Sequence, residues 1–205
     1  MQRILTCTGK KVTAGEFVEF WKQGYATDPD KDDQLYSANI ERFAPVALEK
    51  NYPEAKRLLD ILFHWKNGGK NLSGSKKSNV GKNWQLILDG RLPEIVENPS
   101  HALQHVLTGG AVYRIFFLHC CLPHDYPIYD RHVHRAMAYI ENWESDLKLP
   151  PLSDEKAVTI YLERYCGFWK DFIGKASVNL RDADRALWTY GKLLSESPWI
   201  FADGV

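Results

Sequence analysis

The residues whose types could do chemistry together lie between Leu107 and Ala136, in the run LTGGAVYRIFFLHCCLPHDYPIYDRHVHRA. Gly109 and Gly110 tolerate backbone conformations that other residues resist, so two helices can meet there at a sharp turn. The first N–H groups of the helix that follows lack intrahelical acceptors and form an end suited to an anion such as phosphate. One helix and one short loop later stands Asp130, where the chain would have returned towards that turn. A carboxylate near an anion site can stabilise developing positive charge or take a proton from water. Asp is also among the preferred N-cap residues, and a cap alone would explain its place ahead of the next helix. Gly109 and Gly110 have the same double reading, because they suffice to stop a helix without any ligand.

The elements that must position these groups are helical. Thr13 and Glu16 have capping-box spacing ahead of Phe17, Phe20 and Trp21, which predicts a helix from about Ala14 to Gly24. Before it, Arg3 to Val12 alternate weakly around Thr8-Gly9, as a small hairpin or an irregular arm. The acidic DPDKDD segment reads as a solvated link, and Leu35 to Lys50 as a helix that Pro45 kinks or restarts. Pro53 opens a helix carrying Leu58, Leu59, Leu62, Phe63 and Trp65 that ends at Asn67-Gly68-Gly69. Short helices follow over Asn83–Leu88 and Leu92–Glu97, and another runs from Pro99 to the Gly109 turn. Val112, Ile115, Phe116, Phe117, Leu118 and Cys120 then make a helix apolar on most sides, which belongs at the centre of the fold and ends at Pro123. Val133, Met137, Ile140 and Trp143 give the next helix its core stripe. After a break at Leu149-Pro150-Pro151, Ser153 caps a long helix with Val158, Tyr161, Leu162, Tyr165, Trp169 and Phe172 inward. Asp182 starts the last helix, which bears Ala183, Leu187, Tyr190 and Leu194. The expected architecture is all-α, a single domain over residues 1–205 with two helical lobes. Residues 26–136 would hold the turn and Asp130, and residues 1–25 with 137–205 would form the other lobe.

Lys66, Lys70, Lys76, Lys77 and Lys82 have no acid among them and are interleaved with Gly, Ser and Asn. This stretch reads either as a mobile solvated loop or, through Lys76 and Lys77, as a phosphate-contacting loop beside a nucleic-acid groove. Overall charge gives no direction: Lys+Arg and Asp+Glu both number 26 in the 205 residues, so no net field draws the chain to nucleic acid or membrane. The 44% hydrophobic content supports a real core, yet no apolar run approaches the roughly 20 residues of a membrane span, and a cytoplasmic, non-membrane protein is expected. The cysteines Cys7, Cys120, Cys121 and Cys166 include an adjacent pair and no CxxC, which argues against a disulfide framework or a zinc ribbon. His119, Cys120, Cys121, His124, Asp125, Asp130, His132 and His134 are all metal-ligand types, and a metal-dependent hydrolase would use a few of them around an open position. Their spacing fits no established ligand pattern, and His132 and His134, two apart, point to different sides of their helix, so no metal is expected.

Leu107-Thr108-Gly109-Gly110-Ala111-Val112-Tyr113, followed by Ile128-Tyr129-Asp130-Arg131-His132-Val133, resembles the helix-hairpin-helix DNA glycosylases. That family carries Leu-Pro-Gly-Val-Gly-x-Lys, then a helix and a loop, then Val-Asp-x-His-Val. The Asp-x-His-Val match and its separation are the specific parts, and the match at the turn is degenerate. The resemblance implies a two-lobed helical fold acting on double-stranded DNA. Amides around Gly109, Gly110 and Ala111 would grip a phosphate, which positions the duplex without reading its sequence. A base would be flipped into a pocket built with Tyr113, Tyr129 and His132, from a chain that also offers Trp84, Tyr126 and Trp188. Asp130 would face the sugar as the catalytic carboxylate.

One departure is decisive for the reaction type. Bifunctional members use a lysine of the hairpin as a Schiff-base nucleophile, and the aligned position here is Ala111 or, in another register, Tyr113, neither of which can do it. The expectation is therefore a monofunctional glycosylase in which water attacks, or a relative that kept the fold and lost the reaction. The closely spaced four-cysteine set of cluster-bearing members is missing, so no cofactor is expected. The remaining reading is a non-enzymatic helical interaction protein, indifferent to substitution of Asp130.

Overall fold

The computed structural model describes residues 4–5, 11–25, 32–141 and 153–196. A two-residue antiparallel pair, β1 (Ile4–Leu5) and β2 (Lys11–Val12), sets Ile4 opposite Val12 and Leu5 opposite Lys11. All other regular structure among the described residues is helical. In order come α1 (Ala14–Trp21, continued by a tight turn Lys22–Gly24), α2 (Ala38–Leu48), α3 (Tyr52–Lys66), α4 (Gly74–Leu88), α5 (Leu92–Glu97) and α6 (Pro99–His101). These are followed by α7 (Ala111–Cys121), α8 (Arg131–Ile140), α9 (Asp154–Ile160), α10 (Cys166–Ala176) and α11 (Leu180–Glu196). Three wide π-type turns adjoin these helices, at Asp33–Ser37, Ala102–Val106 and Tyr161–Tyr165. No described helix is long and apolar enough to cross a membrane.

The chain divides into two compact units. The first comprises Met1–Ala26, Tyr129–Leu152 and Ile160–Val205, and the second Thr27–Ile128 with Ser153–Thr159. A boundary falls between Ile128 and Tyr129, so Asp130 groups with the N-terminal and C-terminal helices and the Gly109 turn with the other unit.

In the first unit, α1 begins with the capping box: Thr13 Oγ1 accepts from the Glu16 amide at 3.2 Å and the Glu16 carboxylate accepts from the Thr13 amide at 2.8 Å. Its Phe17 meets Phe172 and Tyr190 edge-on, with ring centroids 5.8 and 5.1 Å apart. The dominant packing is α8 against α11, and it depends on Gly191. A Cβ built at that position would lie 1.9 Å from the carbonyl oxygen of His132, so the two backbones touch where no side chain can fit. Arg135 fastens the same crossing by donating from Nη1 to the Gly191 carbonyl at 2.9 Å. Val133 and Met137 face inward as their spacing predicts, joined by His134, Ala136 and Ala138; Trp143 and the Leu149-Pro150-Pro151 break lie outside the described residues.

In the second unit, α7 is central, with Ile115 to Cys121 all buried. Three expectations are corrected here. The Lys66–Lys82 stretch is a loop only over residues 67–73: α4 runs from Gly74, placing Lys76, Lys77 and Lys82 on a helix whose inward face is Val80, Asn83, Trp84 and Ile87. That packing overrides the poor helix propensity of a Gly-, Ser- and Asn-rich segment. The DPDKDD segment is not wholly solvated either, although residues 28–31 lie outside the described residues. Asp32 is fully buried and accepts from Trp65 Nε1 at 2.6 Å. Pro45 neither ends nor restarts its helix, since α2 continues through it.

Because Gly191 meets backbone and not a flexible side chain, Gly191→Ala should cost about 3 kcal/mol or more, at or above the usual range for overpacking. Thermal or denaturant unfolding of the purified variant checks this, and a loss under 1 kcal/mol (~) would contradict the contact.

Candidate functional site

In the second unit, Leu107 to Gly110 join the π-type turn Ala102–Val106 to α7, and the turn is pinned from two sides. The side-chain amide of Asn83, buried inside α4, holds the backbone of Thr108: its Nδ2 donates to the Thr108 carbonyl at 3.1 Å and its Oδ1 accepts the Thr108 amide at 2.8 Å. Gly109 takes φ +108°, a conformation that L side chains rarely adopt, and its face lies against Asn79. Gly110 is the N-cap of α7, and its carbonyl accepts from the amides of Tyr113 and Arg114 at 2.9 and 3.1 Å. The Ala111 amide donates to Asp154 Oδ1 at 2.7 Å. This N-terminus therefore already carries an anion, a carboxylate from the first turn of α9. Favourable charge at the positive end of α7 explains why it is held there.

In the first unit, Asp130 caps α8. Its Oδ1 accepts from the amides of His132 at 2.8 Å and Val133 at 3.3 Å, so capping is an observed role of this half-buried side chain. Around it, Tyr129 is a core ring whose hydroxyl shares a 2.5 Å hydrogen bond with His134 Nδ1. Burial, and then the neighbouring Asp130 carboxylate, push the Tyr129 phenol well above its usual range. His132 lies 5.1 Å, ring to ring, from Trp188, and its Nε2 accepts from Arg131 Nε at 3.4 Å. Burial lowers its pKa; Asp130 opposes that shift, while Arg131 and Arg135 add to it. Lys192 Nζ sits 5.4 Å over the Trp188 ring. The head of α8 thus gathers one fixed carboxylate, two arginines and a histidine on an indole.

The structure brings Tyr129, Asp130 and His132 together in the first unit, and Gly109, Gly110 and Ala111 together in the second. Tyr113, also in the second unit, donates its hydroxyl to Asn67 Oδ1 at 2.8 Å and stacks on Phe63. Lys76 Nζ donates to the same Asn67 oxygen at 3.2 Å and lies 5.1 Å over the Tyr113 ring, while Lys77 is exposed on α4.

The ligand-type residues of 119–134 have other work. His119 is buried between Tyr36, 2.7 Å from Nε2, and the Tyr126 carbonyl, 2.7 Å from Nδ1. A carbonyl can only accept, so Nδ1 carries the proton and Nε2 takes the tyrosine hydroxyl. Burial pushes the Cys121 thiol up to about 12 and that of Cys120 well above its usual value, which keeps both protonated. Among the described residues no three His, Cys, Asp or Glu side chains converge on a point that could hold a metal ion. Sequence reasoning missed Asn83 and Asp154 as partners of the turn. Asp154 reads locally as a first-turn acid of its own helix, and nothing nearby in the chain signals the amide it binds.

Comparison with protein-family models, with curated proteins and with solved structures returns no match.

The His132 environment sets a pH dependence. Its folded pKa lies below the unfolded value of about 6.5, so its contribution to stability is fully present above that pH and is lost as pH falls through the lower folded value. Denaturant midpoints measured from pH 7.5 (~) downward through this window should fall more steeply for the wild type than for His132→Gln; parallel profiles would contradict the assignment.

Proposed function

We propose that this chain is a monofunctional DNA base-excision glycosylase, a divergent relative of the helix-hairpin-helix enzymes. The observation that carries the reading is the carboxylate of Asp130, held by two main-chain amides at the head of α8 with Arg131, Arg135, His132 and Trp188 around it. Amides and cations favour the ionised carboxylate, and the surrounding cations favour a polyanionic substrate. In the reaction the damaged base is flipped out of the duplex, and its N-glycosidic bond stretches towards an oxocarbenium-like sugar. The fixed carboxylate offsets that charge and accepts the proton of the attacking water. Lys76 and Lys77 on α4, with the turn at Gly109 and Gly110, supply phosphate contacts in this reading. With Ala111 and Tyr113 in the hairpin, no lysine forms a Schiff base there, so strand cleavage does not accompany base release.

The test is base release from duplexes carrying oxidised, deaminated or alkylated bases. Asp130→Asn retains a good cap and removes the charge, so it should abolish excision while leaving the fold and duplex binding intact. Unfolding of that variant, or undiminished excision, would leave Asp130 a structural cap. Lys76→Ala with Lys77→Ala should weaken duplex binding and flatten its salt dependence by about one to two in log–log slope. An unchanged slope would remove α4 from the interface.

One observation favours a second reading. The Ala111 amide, one of three assigned to a phosphate by the resemblance, is bonded to Asp154 within the protein. A non-catalytic relative that keeps this bond permanently would bind neither duplex nor abasic-site analogue, and the same panel separates the two.

A further inference from the structure

In the second unit, His101 closes α6 and His105 stands four residues on, inside the π-type turn Ala102–Val106. Ala102 and Leu103 carry the buried face of this segment, which leaves both imidazoles on its exposed side. The two rings lie side by side, their centroids 5.0 Å apart and their planes tilted by 45°. No hydrogen bond among the described residues engages either ring, so no protein group competes for the nitrogen lone pairs. A neutral imidazole binds zinc through one ring nitrogen at about 2.1 Å, so two imidazoles on one tetrahedral ion stand about 5 Å apart, centre to centre. The observed separation meets that requirement, and exposed rings can turn their nitrogens to a common point without displacing any packed group. The local field also suits a cation. Arg91 first, and His101 after it, hold the Glu94 carboxyl below its usual range, which puts that carboxylate within electrostatic reach of the pair.

We propose that His101 and His105 form a two-histidine site for a divalent transition cation, of the class of zinc, nickel or copper(II), with water in the remaining coordination positions. Nitrogen donors select these ions over magnesium and calcium, which take oxygen. Glu94 stays outside the inner shell, because Arg91 holds both its oxygens at 2.8 and 2.9 Å. The site lies apart from the 119–134 run and is independent of the glycosylase reading. Its role is that of a clamp. The two ligands flank the start of the wide turn that the Leu107 amide closes on the Ala102 carbonyl at 2.8 Å, and Leu107 leads directly into the segment that Asn83 pins at Thr108. An ion bridging the two side chains ties α6 to that turn, so its binding free energy appears as stability of the folded unit.

The experiment is calorimetric titration of the metal-stripped full chain with nickel(II), using the wild type, His101→Gln, His105→Gln and, as a surface-histidine control, His124→Gln. The expected result is one high-affinity nickel ion per wild-type chain, with affinity lowered roughly 10-fold or more in each of the first two variants and unchanged in the control. Nickel(II) should also raise the melting temperature of the wild type and of His124→Gln only, and magnesium should raise none. Binding to the wild type no tighter than about millimolar overturns the inference. Full affinity in either His101→Gln or His105→Gln overturns it too, as does an equal loss in His124→Gln. Should either variant fail to fold, carbethoxylation of wild-type histidines by diethylpyrocarbonate, mapped by mass spectrometry, reads the same site. Nickel(II) should shield His101 and His105 together and leave His124 reactive, and shielding of one ring alone, or of neither, is the overturning result.

Discussion

Residue 191 can have no side chain, and much of the first unit follows from that. The absence of a Cβ lets α11 lie on the first turn of α8, with main chain against main chain at His132. Close backbone approach of this kind brings the flanking side chains into register along both helices, so Arg135 reaches the Gly191 carbonyl and Trp188 reaches the His132 ring. The same crossing immobilises the end of α8 that Asp130 caps. A carboxylate fixed by two amides has little freedom to begin with, and anchoring those amides on a second helix removes what remains. Precision at the head of α8 is therefore a property of the crossing more than of the loop before it.

The second unit uses buried polar groups where the first uses a bare backbone. Asn83 acts on Thr108 as a neighbouring strand would, giving and taking one hydrogen bond, and it does so from the inside of a helix. His119 joins Tyr36 to the Tyr126 carbonyl through its two ring nitrogens, each with a single compatible role. Asp154 neutralises the positive end of α7. Each of these groups would be costly if left alone in the interior, and each is matched, so the polar residues specify which turn and which loop may pack where.

Legibility in the sequence tracks the range over which the physics acts. The capping box at Thr13 and Glu16, the bounds of α5, the cap at Ser153 and the inward face of Val158, Tyr161, Tyr165, Trp169 and Phe172, though not the half-buried Leu162, could be read, because caps and stripes involve neighbours within a turn or two. The all-helical class followed from the same signals. The start of α4 could not, since GSKKSNVGKNW has weak propensity and only Val80, Trp84 and Ile87 mark a face. Asp32 looked solvated because Asp28, Asp30, Lys31 and Asp33 surround it in sequence, while the indole that buries it is 33 residues away. At the candidate site, the capping of Asp130 was legible and its two amide donors are where a cap requires them. The bond from Ala111 to Asp154 spans 43 residues, and no local pattern encodes it.

The π-type turn that ends with Tyr165 sets the phase of everything after it. Its closing bond runs from the Cys166 amide to the Tyr161 carbonyl, one residue wider than an α-helical bond, and α10 begins directly from it. A segment of this kind amounts to one extra residue accommodated within a helix. Taking that residue out again would restore a regular helix and at the same time turn α10 by about 100° about its own axis. Trp169, Phe172 and Ala176, which now point inward, would be carried off the core face. Exchange of side chains in this stretch and change in its length are thus different kinds of event. The first is judged by volume and polarity at one site, whereas the second reassigns the inside and outside of a whole helix, so the chain length between Ser153 and Ser177 is itself part of the information that the fold requires.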